Sequence, residues 1–217
     1  MSDAAALMDA MYRRQRHIYD ASRKFYLLGR DAMIAGVRAR PGDHVLEIGC
    51  GTGRNLVKLA RMYPQANCRG LDVSAAMLDT AASSIARAGL GRRIALARGD
   101  AAAFDAAALF GRERFERIVI SYALSMIPPW REALARAFHA LSPGGSLHIV
   151  DFGDCRELPA PLRSALYSWL AAFDVTPRRE LHEVLTEMTR ERGFRCQTGG
   201  RFRGYSMQAV VERPATR

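Results

Sequence analysis

The sequence predicts an α/β fold: a doubly wound, mostly parallel sheet closed by an antiparallel C-terminal hairpin. Three observations carry this expectation. Short apolar runs alternate with helix-like segments between residues 41 and 151. A glycine-rich loop joins the first run to the helix after it. Beyond Asp151 the alternation gives way to two amphipathic helices and then two short strands.

Each element follows from local pattern. The first 35 residues read as helix, with Leu7, Met8, Met11, Tyr12, Ile18 and Tyr19 on one apolar stripe and Arg13, Arg14 and Arg16 opposite. Pro41-Gly42-Asp43 reads as a turn. His44 to Gly49 is an apolar run ending at glycines, the pattern of a strand buried on both faces. Helix over Asn55 to Tyr63, strand over Cys68 to Leu71, helix over Ala75 to Ala88 and strand over Arg93 to Ala97 follow. Ile118 to Ser121 is the fourth strand and Arg131 to Leu141 a helix; the turn Ser142-Pro143-Gly144-Gly145 then leads to the fifth strand, Ser146 to Val150.

Leu162, Leu166, Trp169, Leu170 and Phe173 share one helical face, and Leu181, Val184, Leu185 and Met188 another after Pro177. Phe194 to Thr198 and Tyr205 to Val211, around a turn from Gly199 to Gly204, read as the closing hairpin. Without repeats or linkers, residues 1–217 are expected to form one domain: a helical lid over 1–40, a core over 41–155, and helices with the hairpin over 156–217.

Composition narrows the classes. With 217 residues, 49% hydrophobic and 25% charged, the chain suits one globular domain. The longest stretch free of charge and glycine, Ile118 to Trp130, contains Pro128 and Pro129. It falls short of the roughly 20 apolar residues a membrane span needs. Asp3 and Asp9 lie where a secretory signal wants a basic start and an apolar core, so a cytoplasmic location is expected. Cys50, Cys68, Cys155 and Cys196 form no CxxC pair, and neither a disulfide framework nor a metal site is expected. Net charge is +10, and Lys24 and Lys58 are the only lysines, leaving 30 arginines among 32 basic residues. That bias suits anionic lipid, nucleic acid or carboxylate-bearing substrates, and equally a composition bias without function.

The chemistry is concentrated in the loop Glu47-Ile48-Gly49-Cys50-Gly51-Thr52-Gly53. Glycines there let the backbone approach a bound cofactor. A dinucleotide site would want a third-position glycine where Arg54 stands, and no acid at Glu47. Glu47-x-Gly49-x-Gly51-x-Gly53 resembles the first motif of the class I methyltransferases, Rossmann-like enzymes that use S-adenosylmethionine. The resemblance makes ordered demands that the sequence meets. Asp72 ends the second strand, where an acid accepts both ribose hydroxyls; Asp100 follows the third, where an acid binds the adenine amino group. Ser74 is placed as a helix N-cap and Met77 to touch the adenine. Cys50, Thr52, Asn55, Val73, Ala101 and Ser121 complete the expected cofactor set.

Methyl transfer from a sulfonium is an in-line displacement, so the acceptor side needs alignment and dryness more than a fixed triad. Substrates of open α/β sheets sit beyond the carboxyl ends of the strands, which nominates Ser121, Tyr122, Ser125, Asp151, Phe152 and Asp154. The Asp/Asn-Pro-Pro-aromatic motif of nucleic-acid amine methyltransferases is absent, since Ser121-Tyr122-Ala123-Leu124 stands there; no nucleic-acid partner is expected.

Tyr19, Arg23, Tyr26 and Arg30 recur at spacings of four, three and four, one face of a helix. They read either as half-buried tyrosines beside snorkelling arginines or as a lid over the cofactor. The run from Arg16 to Asp31 resembles the N-terminal signature of the bacterial betaine-lipid enzymes that N-methylate diacylglycerylhomoserine. Val175-Thr176-Pro177-Arg178 and Arg203-Gly204-Tyr205 are also similar to that family. The resemblance implies successive methylation of a lipid-headgroup amine to diacylglyceryl-trimethylhomoserine. The lid reading then puts Tyr19 and Tyr26 around the amine and Arg23 and Arg30 on the headgroup carboxylate, the strand ends add Tyr122 as a catalytic and Asp151 as a substrate-binding candidate, and a lipid acceptor suits an anionic membrane surface as peripheral partner. The alternatives are another small or lipid acceptor, such as phosphatidylethanolamine or a quinone precursor, and a non-catalytic module that binds S-adenosylmethionine.

Overall fold

The computed structural model describes residues 27–215. Seven strands form one sheet in the order β3-β2-β1-β4-β5-β7-β6: β1 His44–Ile48, β2 Asn67–Asp72, β3 Ile94–Arg98, β4 Phe115–Ser121, β5 Leu141–Phe152, β6 Arg195–Arg201 and β7 Ser206–Glu212. The first five are parallel, and the β6–β7 hairpin adds antiparallel to β5. The chain winds outward from β1 to β3, then returns to lay β4 against the other side of β1. That reversal opens a crevice at the carboxyl ends of β1 and β4, the place where open α/β sheets hold ligands.

Alternation along the strands divides the core into two layers. Leu46, Ile118, Ile120, Leu147 and Ile149 pack with Leu134 and Phe138 of α5 (Trp130–His139) and Leu181 and Leu185 of α7 (Leu181–Glu191). Val45, Val119 and Val150 face the other layer. There they meet α1 (Arg30–Gly36), α2 (Arg54–Met62), α3 (Ala75–Arg87) and α6 (Ala160–Ala171) through Ile34, Leu56, Leu59, Ile85 and Leu170.

Several boundaries differ from expectation for local reasons. A short helix, α4 (Ala106–Phe110), precedes β4; Asp105 caps it by accepting from the Ala107 and Ala108 N–H groups, and Gly111 ends it at φ 68°. Leu124–Met126 forms a 3-10 turn. Ser142 to Gly145, expected as a turn, lies within β5, where the register with β4 shifts between Phe115 and Arg117. Gly144 N–H there donates to the Arg213 and Pro214 carbonyls, so pairing with the chain end holds the segment extended. β6 runs three residues past its expected end and β7 is shifted one residue later, which leaves the turn at residues 202–205.

At the N-terminus, Gly29 stands at φ 83° immediately before α1. Residues 27–29 form a turn, and Arg30 opens α1. Tyr19, Arg23 and Tyr26 themselves lie outside the described residues. Among the described residues no helix is long and apolar enough to cross a membrane, and no group of His, Cys, Asp and Glu has a metal-holding arrangement.

Candidate active site

The loop after β1 is held in a shape that side chains would obstruct. Gly49, Gly51 and Gly53 have φ of 71°, 52° and 75°, in the left-handed region that favours glycine. A Cβ on Gly49 would lie 2.6 Å from the Ala123 Cβ, and one on Gly53 3.0 Å from the Ala81 Cβ. The Gly49 and Cys50 N–H groups both donate to the Leu71 carbonyl at 2.8 and 3.0 Å, and Gly53 N–H donates to the Cys50 carbonyl at 3.0 Å. The loop is thereby folded over the end of β2. Cys50 is buried and its thiol pKa is raised by that burial, so it packs as a neutral side chain.

Three expected acids stand around this loop in different states. Glu47 is fully buried; Asn55 Nδ2 donates to its Oε1 at 2.8 Å, while Oε2 has no hydrogen-bond partner in the protein. Burial pushes its pKa up to about 8. Asn55 therefore acts on Glu47 rather than standing in the cradle on its own. Asp72 Oδ2 accepts from Gly51 N–H at 2.7 Å and Oδ1 from Ser74 N–H at 3.0 Å, so the backbone after β1 and β2 fixes the direction of its carboxylate. Asp100 lies two residues beyond β3, exposed, with Oδ1 accepting from Ala102 N–H at 2.9 Å; Gly99 N–H, donating to the Asp72 carbonyl, ties its turn to β2.

The neighbours take supporting positions. Met77 is buried in the first turn of α3, its N–H on the capping Ser74 hydroxyl. The Val73 carbonyl accepts from Arg98 Nε. Thr52 and Ala101 are half-buried beside these turns, and Ser121 places a buried hydroxyl without a protein partner at the end of β4. The orphaned Glu47 Oε2, the unpartnered Ser121 hydroxyl and a glycine loop whose positive φ and close packing exclude side chains match a ligand with a cationic end and a hydroxylated ring. The residues present fit the expected cofactor.

Beyond β4 and β5 the arrangement is aromatic and acidic. Tyr122 and Phe152 meet edge-on at 4.7 Å between ring centroids, and Phe152 and Tyr205 at 5.8 Å. Tyr122, at φ 53°, donates its hydroxyl to the Leu28 carbonyl at 2.6 Å. Burial raises the pKa of this phenol, so its oxygen stays protonated and committed to Leu28. The hydroxyl thereby ties the 27–29 turn to the sheet. Asp151 is fully buried, accepting from Phe152 N–H at 2.8 Å and Ser125 N–H at 3.2 Å, and burial pushes its pKa up to about 6. Arg30 is buried, with Nε on the Leu27 carbonyl, and its charge is felt by both Glu47 and Tyr122. Asp154 is turned away, paired with Arg156 at 2.7 Å.

Other residues take positioning roles, among them two of the 175–178 segment and Gln208, which had no sequence signal. Arg178 donates to the Leu124 and Ile127 carbonyls, and Thr176 N–H to the Ser125 carbonyl, docking the segment before α7 on the β4 loop. Gln208 Nε2 donates to the Gly29 carbonyl. Arg54 and Lys58 of α2 both pair with Asp31.

Residues 45–145 match the sequence model of a family described as a methyltransferase domain. The ubiquinone/menaquinone biosynthesis C-methyltransferase of Paracoccus denitrificans is 27% identical over 180 residues, covering 81% of this chain and 69% of its own. Two solved structures share the fold. One is the phosphoethanolamine N-methyltransferase 2 of Haemonchus contortus in complex with S-adenosyl-L-methionine, with a TM-score of 0.71 at 14% identity over 85% of this chain and 52% of that one. The other is a Haloferax volcanii methyltransferase bound to its Trm112 activator, with a TM-score of 0.76 at 14% identity over 96% and 98%. A further relative is the demethylmenaquinone methyltransferase of Lactobacillus johnsonii, 28% identical over 139 residues, covering 61% of this chain and 55% of its own.

Proposed function

We propose, from the premise that the chain is a class I S-adenosylmethionine-dependent methyltransferase, that it methylates the amine of a lipid headgroup, diacylglycerylhomoserine, in successive transfers. One observation carries this reading. Three segments that resemble the betaine-lipid enzymes are far apart in sequence and meet at the carboxyl ends of β4 and β5. Leu28 accepts from Tyr122, the 175–178 segment docks on Ser125 and Leu124, and Tyr205 packs on Phe152 while accepting from Gly153 N–H. A row of three rings beside a buried carboxylate suits an ammonium that gains methyl groups.

The cofactor, when bound, supplies a methyl group on a sulfonium and leaves as a neutral thioether. Glu47 would hold its cationic methionine end, Asp72 its ribose hydroxyls and Asp100 its adenine, with the glycine loop against its backbone-facing side. An amine that takes up that methyl group would give up one proton per transfer. Asp151, a carboxylate at neutral pH given its pKa of about 6, would hold the ammonium and accept that proton. Arg30 would hold the headgroup carboxylate, Tyr19, Arg23 and Tyr26 would complete the lid, and a peripheral anionic membrane surface would present the lipid.

A second reading, C-methylation of a quinone precursor, is favoured by what the curated relatives are named for. Purified protein, methyl-labelled S-adenosylmethionine and vesicles holding either acceptor separate the two. Label in the homoserine lipid supports the first reading; label only in the demethylated quinone replaces it with the second.

A further inference from the structure

The opposite end of the sheet carries a second, differently charged feature. A cavity of about 830 Å³ opens at the amino ends of β4 and β5, walled by the end of α1, the Gly144-Gly145 bulge and the outer hairpin. Its volume is within the roughly 300–1,000 Å³ range of small-molecule sites. Five arginines line it, Arg38, Arg40, Arg117, Arg195 and Arg213, against one carboxylate, Glu212.

The sheet register explains why this end is not core. Arg117, Ser146, Glu212 and Arg195 are direct cross-strand partners and therefore share one face of the sheet. Two rows further on, the same face turns apolar at Val150 and is covered by helices. A helix-covered face would be apolar throughout. Arg117 is already committed, to the Val37 and Arg38 carbonyls and to Asp43 at 3.3 Å, and so acts as scaffold. Arg213 donates to the Leu141 carbonyl. Arg38 is held at φ 48°, a conformation that residues other than glycine rarely adopt.

We propose that this cavity binds a phosphate-bearing ligand through Arg38, Arg40 and Arg195, with Arg213 supporting. A single carboxylate offers two oxygens, whereas a phosphate or diphosphate spreads its charge over enough oxygens to meet several guanidinium forks. The same potential bears on His148 in the cavity wall: burial and the nearby Arg117 lower its pKa to about 4, so it stays neutral and donates no further charge. The parallel strands lie between this cavity and the cofactor loop, so its ligand is distinct from the methyl acceptor.

The test uses the full chain and its Arg38→Gln/Arg195→Gln double variant, with inorganic pyrophosphate followed by calorimetry and vesicles of phosphatidylglycerol in phosphatidylcholine followed by sedimentation. S-adenosylmethionine affinity, unchanged in the variant, reports an intact fold. Pyrophosphate binding is expected to weaken about tenfold or more. If vesicle adsorption also falls, the phosphate is a lipid's; if only pyrophosphate binding falls, it belongs to a soluble ligand. Pyrophosphate binding and vesicle adsorption both equal in parent and variant, or no pyrophosphate binding by the parent with equal vesicle adsorption, would overturn the proposal.

Discussion

Glu47 is the residue whose state should change most on cofactor binding. Its pKa of about 8, above the ordinary 4.5, makes it largely protonated at neutral pH in the protein alone. A bound cation favours the ionised form, so uptake of S-adenosylmethionine at pH 7 should release a proton. Calorimetric heats should then differ between two buffers of different ionisation enthalpy, and Glu47→Gln should abolish the difference. Buffer-independent heats in the parent protein would remove Glu47 from the cationic end. The stability consequence has a definite sign. The unfolded carboxyl loses its proton near 4.5 while the folded one keeps it to about 8, so Glu47 weakens folding progressively as pH rises across that window. Glu47→Gln should gain in Tm relative to the parent between pH 5 and 8. Glycines and acids of this kind are legible because strand, loop and helix start are consecutive in sequence. The Tyr122 hydroxyl on Leu28 is not, since its partner is 94 residues away and is a backbone carbonyl that any residue would supply.

At the scale of elements, the glycine loop works because its backbone and its neighbours leave no room for a Cβ. Gly49→Ala places a methyl 2.6 Å from Ala123 at φ 71° and should cost about 1–3 kcal/mol of stability together with cofactor affinity. Gly36→Ala is the matching control. It lies in α1 with nothing within 4 Å of the added Cβ, and should be neutral or stabilising by up to about 1 kcal/mol. Thermal melts of the two variants check the pair, and equal Tm values would contradict the packing account. Strands β1 to β5 were legible from short apolar runs alternating with helical segments, although edge strand β3 buries only Ile94 fully. Helix α4 was missed because five residues carry no measurable period, although Asp105 and Gly111 are ordinary cap signals. The 142–145 segment misled because its proline and glycines describe a turn in isolation, and only the returning chain end extends it. Gly29 was read inside a helix for the opposite reason: the flanking residues fit the period, and only its φ of 83° shows the break.

For the whole molecule, the +10 charge sets a long-range expectation. Adsorption to anionic vesicles should be strong at low salt and fade as the Debye length shrinks to about 8 Å near physiological ionic strength, with little binding to neutral vesicles. Equal sedimentation with both would contradict an electrostatic membrane contact. The α/β class and the position of the cofactor loop could be read at this scale because alternation and glycine spacing are global patterns. The acceptor could not, because it depends on how residues 27–30, 175–178 and 203–205 converge. The most direct test of the account is the mass of the homoserine lipid in cells that make diacylglycerylhomoserine and express either this protein or its Asp72→Ala variant. Loss of Asp72 removes the acceptor for two backbone N–H groups and, under the proposed cofactor pose, for the ribose hydroxyls, with an expected change of about 1.5–3 kcal/mol or roughly tenfold to a hundredfold in cofactor affinity. The account predicts that the lipid gains methyl groups, up to three, with the parent protein and far fewer with the variant. An unmodified lipid in cells expressing the folded parent would contradict it.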